Sequence, residues 1–113
     1  MRETALVAAL LLCSALSGCK KSSAGTDAEG DELFLTHCAR CHGVTGEGMK
    51  FAAPPGGGPA PPRNLTDPAF QSARTDAEIK RVIIDGKAPM PPFGKMLSDA
   101  ELDALVRKVR RFK

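Results

Sequence analysis

Two cysteines and a histidine stand together as Cys38-Ala39-Arg40-Cys41-His42. On a helical turn, thiols at i and i+3 face the same way. Such a pair can add across the two vinyl groups on one edge of a porphyrin, forming two thioethers. The adjacent histidine is then carried beneath the ring, where its imidazole can bind iron. For that reason C-x-x-C-H is the attachment signature of a c-type haem. Two other chemistries use the same thiols. A thioredoxin-like redox pair belongs in a βαβ context, and no strand pattern surrounds this one. A structural zinc site needs four ligands. Only His37 and His42 could complete that set, and all four side chains fall within residues 37–42. The crowding favours one haem c, held covalently by Cys38 and Cys41, with His42 on its iron.

The iron's other axial position needs a donor from further along. After His42 the chain offers Met49, Met90 and Met96 and no histidine. Met90 sits in Ala88-Pro89-Met90-Pro91-Pro92-Phe93. Prolines fix the backbone and remove donors, which suits an extended segment against a haem face. Met90 is therefore the expected second ligand, and its thioether would raise the reduction potential. Met96, beside Leu97, is expected to fill core, and Met49 to sit in a loop. His37 shares a local turn with His42, so it is expected near the haem edge or in solvent.

The elements that must hold these groups read as helices. Residues 28–39 form the first, with Leu33 and Phe34 apolar and Glu29, Asp31 and Glu32 early, where the helix dipole favours acids. Residues 43–66 form a loop rich in Gly and Pro, long enough to imply that it wraps something functional. Asp67-Pro68 caps a short helix reaching about Ser72. Thr75-Asp76-Ala77-Glu78 is a capping box opening a helix with Ile79, Val82 and Ile83 on one face, ended by Asp85-Gly86. Ser98-Asp99-Ala100-Glu101 is another capping box, followed by an apolar stripe of Leu102, Leu105, Val106, Val109 and Phe112. Arg107, Lys108, Arg110, Arg111 and Lys113 crowd the end of that helix and are expected to form a solvated face. No stretch alternates as a strand would, so the domain reads as all-α with long connections.

The beginning of the chain has a different character. Thr4 to Leu16 is almost wholly apolar, too short to span a bilayer, which needs ~20 residues, but suited to the h-region of a signal peptide. Leu16-Ser17-Gly18-Cys19 resembles a bacterial lipobox. That resemblance implies a signal peptide over 1–18, lipidation of Cys19, a polar tether over 19–27 and the folded domain over 28–113. The alternative is an ordinary signal peptide or an uncleaved anchor. Lys20 and Lys21 follow the cysteine, with no Asp to hold the protein at an inner membrane. The expected place is the bacterial cell envelope, facing the periplasm and lipid-anchored, with the outer membrane favoured.

Composition fits this division. The chain has 113 residues, nine Pro, eleven Gly, five Phe and neither Trp nor Tyr, so its core is short of large side chains. A porphyrin would complete that core, and stable folding is expected to need it. Of the four cysteines, Cys13 leaves with the signal, Cys19 takes lipid, and Cys38 and Cys41 take haem, leaving none for a disulfide. The net charge of +3 is too small for a nucleic-acid binder, and two ionised propionates would lower it further.

Residues 29 to 112 resemble a small monohaem class I cytochrome c of the bacterial periplasmic type, which occurs alone or fused to larger respiratory and dehydrogenase proteins. The matching pieces are C-A-R-C-H-G at 38–43, G-E-G at 46–48, P-P-R-N-L-T-D-P at 61–68, T-D-A-E-I at 75–79, I-x-x-G at 83–86, M-P-P-F at 90–93 and L-S-D-A-E-L-x-A-L-V at 97–106. The resemblance implies a cytochrome c-like fold, three to four helices wrapped around one covalently bound haem. It places Gly30 and Phe34 where a small residue lets the last helix cross closely. It implies that a proline carbonyl, from Pro61 or Pro62, accepts the Nδ1 proton of His42. Two features depart from the pattern. Lys108 stands where relatives carry an aromatic, so helix packing is expected to rest on Leu105, Val109 and Phe112. The missing Trp and Tyr remove the usual propionate donors, for which Arg63 and Asn64 are substitutes.

The implied function is one-electron transfer rather than enzymatic turnover. With His42 and Met90 both bound, iron has no open site for substrate. The protein would be a monomer that docks transiently with redox proteins, binds no nucleic acid, and meets the membrane through Cys19. Lys50, Lys87 and Lys95 are candidates to rim the haem edge. The alternatives are a small subunit of a larger oxidoreductase complex, and a haem enzyme or sensor whose sixth position is open or labile.

Overall fold

The computed structural model describes residues 25–48 and 61–113. Five helices lie there: α1 Asp27–His37, α2 Ala39–His42, α3 Pro68–Ala73, α4 Asp76–Asp85 and α5 Asp99–Arg111. Among the described residues there is no strand, only an isolated bridge between Lys87 and Met90. The fold class is the all-α one expected. The signal segment, Cys19, Met49 and Lys50 lie outside the described residues.

Three helices begin by the same local chemistry. Thr26, Thr75 and Ser98 each accept from the backbone N–H three residues on, and Glu29, Glu78 and Glu101 each accept in return from the cap's own N–H. These reciprocal bonds occupy donors that a helix start leaves unpartnered. They also stabilise charge: the Thr75 N–H holds the Glu78 carboxyl below its usual range, and the Ser98 N–H does the same for Glu101. The first box was not anticipated. It moves the start of α1 to Asp27, where residues 28–39 were expected, and the helix breaks at Cys38. Asp67 caps α3 as expected, its carboxylate accepting from the Ala69 N–H at 2.9 Å.

The core forms where α1 crosses α5. Gly30 and Phe34 face Ala104 and Leu105, and Phe34 and Leu105 are each 1% exposed. A Cβ on Gly30 would lie 2.9 Å from the Ala104 carbonyl carbon, so only glycine permits this approach. The Phe34 ring meets Phe112 with centroids 4.9 Å apart in a tilted pair. Ile79 and Ile83 from α4, and Leu65, Phe93 and Leu97 from the connections, complete the same cluster.

Two apolar side chains are not where the pattern put them. Val82 is 42% exposed, because α4 has α5 on one side and buries only the stripe of Ile79 and Ile83. Met96 is 65% exposed rather than core. Met96 and Leu97 both donate backbone N–H bonds to the Phe93 carbonyl, and this turn sends Phe93 and Leu97 inward and Met96 outward.

The basic end of α5 is not simply a solvated face. Arg107 and Arg111 pair with Asp27 at 3.1 and 3.0 Å, and Lys108 and Arg111 pair with Asp31 at 2.9 and 2.6 Å. Arg110 reaches Asp76 at 2.7 Å. Acids at the start of α1 thus meet cations at the end of α5, the arrangement both helix dipoles favour. Lys80 of α4 pairs in the same way with Asp99 and Asp103.

Candidate haem site

The C-x-x-C-H turn is an extension of α1 after a one-residue break. The Cys38 N–H still donates to Phe34 at 2.8 Å, while Cys38's own carbonyl accepts from Cys41 and His42 at 3.1 and 2.9 Å. One turn therefore carries both thiols and the imidazole, and its direction is inherited from α1. Cys38 is half-buried against the core and Cys41 is exposed. Burial, with Cys41 adding to it, pushes the Cys38 thiol up to about 11. Among the described residues, no three His, Cys, Asp or Glu side chains converge as a site for a single ion.

His42 is oriented by one bond. Its Nδ1 lies 3.1 Å from the Arg63 carbonyl oxygen. A carbonyl can only accept, so Nδ1 carries the proton and Nε2 keeps its lone pair for a metal. The acceptor was expected to be Pro61 or Pro62, and the structure gives the next residue instead. The reason lies in G-E-G. The Pro62 carbonyl is turned against Gly48, where a Cβ would come within 2.8 Å of it. Gly48 has φ 79°, and its N–H donates to the His42 carbonyl at 2.7 Å. Gly46, with φ 75°, lies under the Phe112 ring and accepts from the Leu65 N–H at 2.7 Å. Only glycine combines that backbone with those approaches.

Met90 lies between α4 and α5. Its segment is a tight turn rather than an extended run: Met90 and Lys87 exchange backbone bonds of 2.8 and 3.1 Å. Pro89 is the third residue of this turn, and the Ala88–Pro89 peptide bond is cis, as a proline at that position of a type VI turn is. Phe93 and Gly94 then donate to the carbonyls of Ile83 and Ile84 at 2.9 and 3.1 Å, tying the segment to the end of α4. The Met90 side chain is half-buried and packs against the core.

The remaining candidates divide. Arg63 and Asn64 are engaged within their own loop. The Arg63 guanidinium lies 3.5 Å from Asp67 and 5.5 Å from the Phe70 ring centroid, and Asn64 Oδ1 accepts from the Thr66 N–H and hydroxyl at 2.9 and 2.7 Å. His37 stays beside Phe93, their ring centroids 5.7 Å apart. Lys87 and Lys95 are exposed. Gln71, which with Arg110 holds the loop against α5, was not singled out from sequence, because a lone glutamine in a short helix carries no pattern; Arg110 was expected only as part of the solvated basic face.

The donor set fits a c-type haem. It consists of two thiols on one turn, an imidazole with Nε2 available, and a thioether fixed by the fold against the core. The family described as "Cytochrome C oxidase, cbb3-type, subunit III" matches residues 25–107. This chain belongs to that family. Its matched part is a cytochrome c-type domain. The cbb3-type cytochrome c oxidase subunit FixP of Azorhizobium caulinodans is 31% identical over 91 residues, which is 80% of this chain and 28% of that protein. The chain therefore spans little more than a quarter of that relative's length. Among solved structures, the KustC0563 c-type cytochrome is 33% identical with a TM-score of 0.61, covering 74% of this chain and 96% of that one. A variant of the same cytochrome is 34% identical with a TM-score of 0.60, over 75% and 99% of the two chains. Among the described residues, no helix is long and apolar enough to cross a membrane.

Proposed function

We propose that this protein is a membrane-anchored one-electron carrier of a respiratory or related chain, with a class I cytochrome c domain over residues 28–113. Cys38 and Cys41 would hold one haem c covalently, and His42 and Met90 would supply the donors to its iron. When bound, the haem supplies a centre that exchanges one electron between ferric and ferrous iron. The chain's own residues supply the rest. Arg63 fixes the tautomer of His42, the α1–α5 crossing aims the Cys38 turn, and the α4–α5 connection holds Met90. The observation that carries the reading is the His42 Nδ1 bond to Arg63, which leaves Nε2 as a donor on the turn that bears both thiols. Residues 1–18 are a signal peptide, Cys19 carries lipid, and 19–27 tether the domain on the periplasmic side of the envelope. Redox proteins dock transiently at the exposed haem edge, with Pro61, Pro62 and the side chains of Arg63 and Asn64 beside the cofactor.

A pyridine haemochrome spectrum of the exported protein tests the cofactor. It is expected to show haem attached by two thioethers. The oxidised protein is expected to show the Met–iron charge-transfer band; high-spin ferric iron would instead mean an open sixth position and a haem enzyme or sensor. The FixP similarity favours a second reading, a subunit of a larger oxidase complex. Solubilised membranes distinguish the two: a free species of single-chain size supports the shuttle, and a stable assembly supports the subunit.

A further inference from the structure

The loop that carries the His42 acceptor is held from outside by one side chain. Gln71 lies on α3, and its Nε2 is 2.7, 2.9 and 3.2 Å from the carbonyl oxygens of Leu65, Val109 and Phe112, so its two N–H groups are shared among three acceptors. Val109 lies in the last turn of α5, where its carbonyl also accepts from the Phe112 N–H at 3.3 Å, and Phe112 is the C-cap of that helix. Leu65 belongs to the loop. Its N–H is tied to Gly46, and two residues earlier Arg63 supplies the carbonyl that accepts from His42. Arg110 decides which end of the amide faces these carbonyls. Its Nη1 donates to the Gln71 side-chain oxygen at 3.1 Å and to the Gln71 backbone carbonyl at 2.6 Å, while its Nε pairs with Asp76 at 2.7 Å. With the amide oxygen occupied, the NH2 group is left to the carbonyls. One half-buried side chain thus joins α3, the end of α5 and the loop under His42.

We propose that Gln71, oriented by Arg110, is a positioning residue for His42 that tunes the redox equilibrium of the domain. The amide fixes the place of the 63–65 loop, and with it the strength of the bond from His42 Nδ1–H to the Arg63 carbonyl. The proposal rests on the reading of His42 as an iron ligand. An imidazole whose Nδ1–H is firmly held is a better donor through Nε2. A better donor favours ferric over ferrous iron. Loosening the latch therefore moves the equilibrium toward ferrous and raises the potential.

The test uses the haem-loaded protein and two variants. Gln71→Met keeps chain length and volume while removing the amide. Arg110→Lys keeps the charge but loses the fork that orients the amide. Two quantities are read: the exchange rate of the His42 Nδ1 proton by NMR, and the reduction potential. Gln71→Met is expected to speed exchange and to shift the ferric–ferrous equilibrium roughly threefold to tenfold toward ferrous, a rise of up to about 59 mV. Arg110→Lys is expected to shift both in the same direction by a smaller factor. A Gln71→Met protein that melts lower yet keeps wild-type exchange and potential would overturn the proposal, since Gln71 would then be a structural tie alone. If Gln71→Met does not load haem, Arg110→Lys decides, and wild-type values in both readouts overturn it. Failure of the underlying reading looks different: the wild-type His42 ring would lack paramagnetically shifted signals in the ferric protein.

Discussion

Gly30 lies against Ala104 so closely that a side-chain carbon on Gly30 would come within 2.9 Å of the Ala104 carbonyl carbon. This contact sets the position of α1 on α5. Phe34, one turn further, is sealed between the helices, and Cys38 follows one turn after that, still bonded to the Phe34 carbonyl. The crossing therefore aims the turn that carries the thiols and His42. Packing on α1 and chemistry on α2 are thus coupled through the single residue Cys38 that joins the two helices.

Replacing Gly30 tests that link. Gly30→Ala forces the helices apart and is expected to cost about 1–3 kcal/mol, the range for overpacking a tight contact. Chemical denaturation of the haem-loaded protein measures it. An unchanged midpoint would mean that α1 and α5 are not in this contact in solution.

Met90→Ala separates ligation from packing. The side chain is half-buried, so truncation costs some stability wherever it points. Ligation makes a further demand. The variant is expected to lose the Met–iron charge-transfer band, bind added cyanide or imidazole readily, and show a lower potential. A variant that keeps the band would shift the assignment to another donor.

Much of this arrangement was legible in the sequence because it rests on local chemistry. The capping boxes at Thr75 and Ser98, the cap at Asp67 and the stop at Gly86 depend on neighbouring residues, and each forms as read. The same logic applied to Thr26 and Glu29 would have found the start of α1; the polar run before it disguised the box. What was not legible depends on partners distant in the chain. Val82 and Met96 look apolar enough for the core, but their burial is decided by which faces α5 and the Phe93 turn cover. The cations of α5 look solvated until α1 is laid beside them. The His42 acceptor is Arg63 rather than a proline, with the Pro62 carbonyl lying instead against Gly48, a close approach no spacing encodes.

The stability of the α1–α5 junction is expected to depend on pH in acid. Hydrogen bonds from Lys108 and then Arg111 hold the Asp31 carboxyl below its ordinary value of 3.8. A depressed carboxylate contributes its full stability above the ordinary value and loses it as pH falls through the lower folded one. Glu78 and Glu101 in the capping boxes act with the same sign. Denaturation midpoints should therefore be flat near neutrality and fall below pH ~4. In Asp31→Asn the neutral midpoint should drop slightly and the acid decline should be shallower. An identical acid limb in both proteins would remove Asp31 from the account.

Lys108 occupies the place where the resemblance anticipates an aromatic, and the geometry shows how a lysine serves there. Its ammonium lies 4.7 Å from the Phe112 ring centroid, 5.8 Å from that of Phe34 and 2.9 Å from Asp31, with the side chain only 20% exposed. The stem covers the paired rings while the charge reaches the carboxylate. Lys108→Met keeps the stem and removes the charge, so it should cost about 0.5–1 kcal/mol, the value of a partly exposed cation–π contact. Lys108→Ala uncovers the rings as well and should cost more than Lys108→Met. The ordering is read from denaturation of both variants, alone and combined with Asp31→Asn. Because Asp31 also pairs with Arg111, the double variant should be less destabilised than the sum of the singles yet not equal to either. Equal losses for Lys108→Met and Lys108→Ala would show that charge alone matters at this position and that the stem shields nothing.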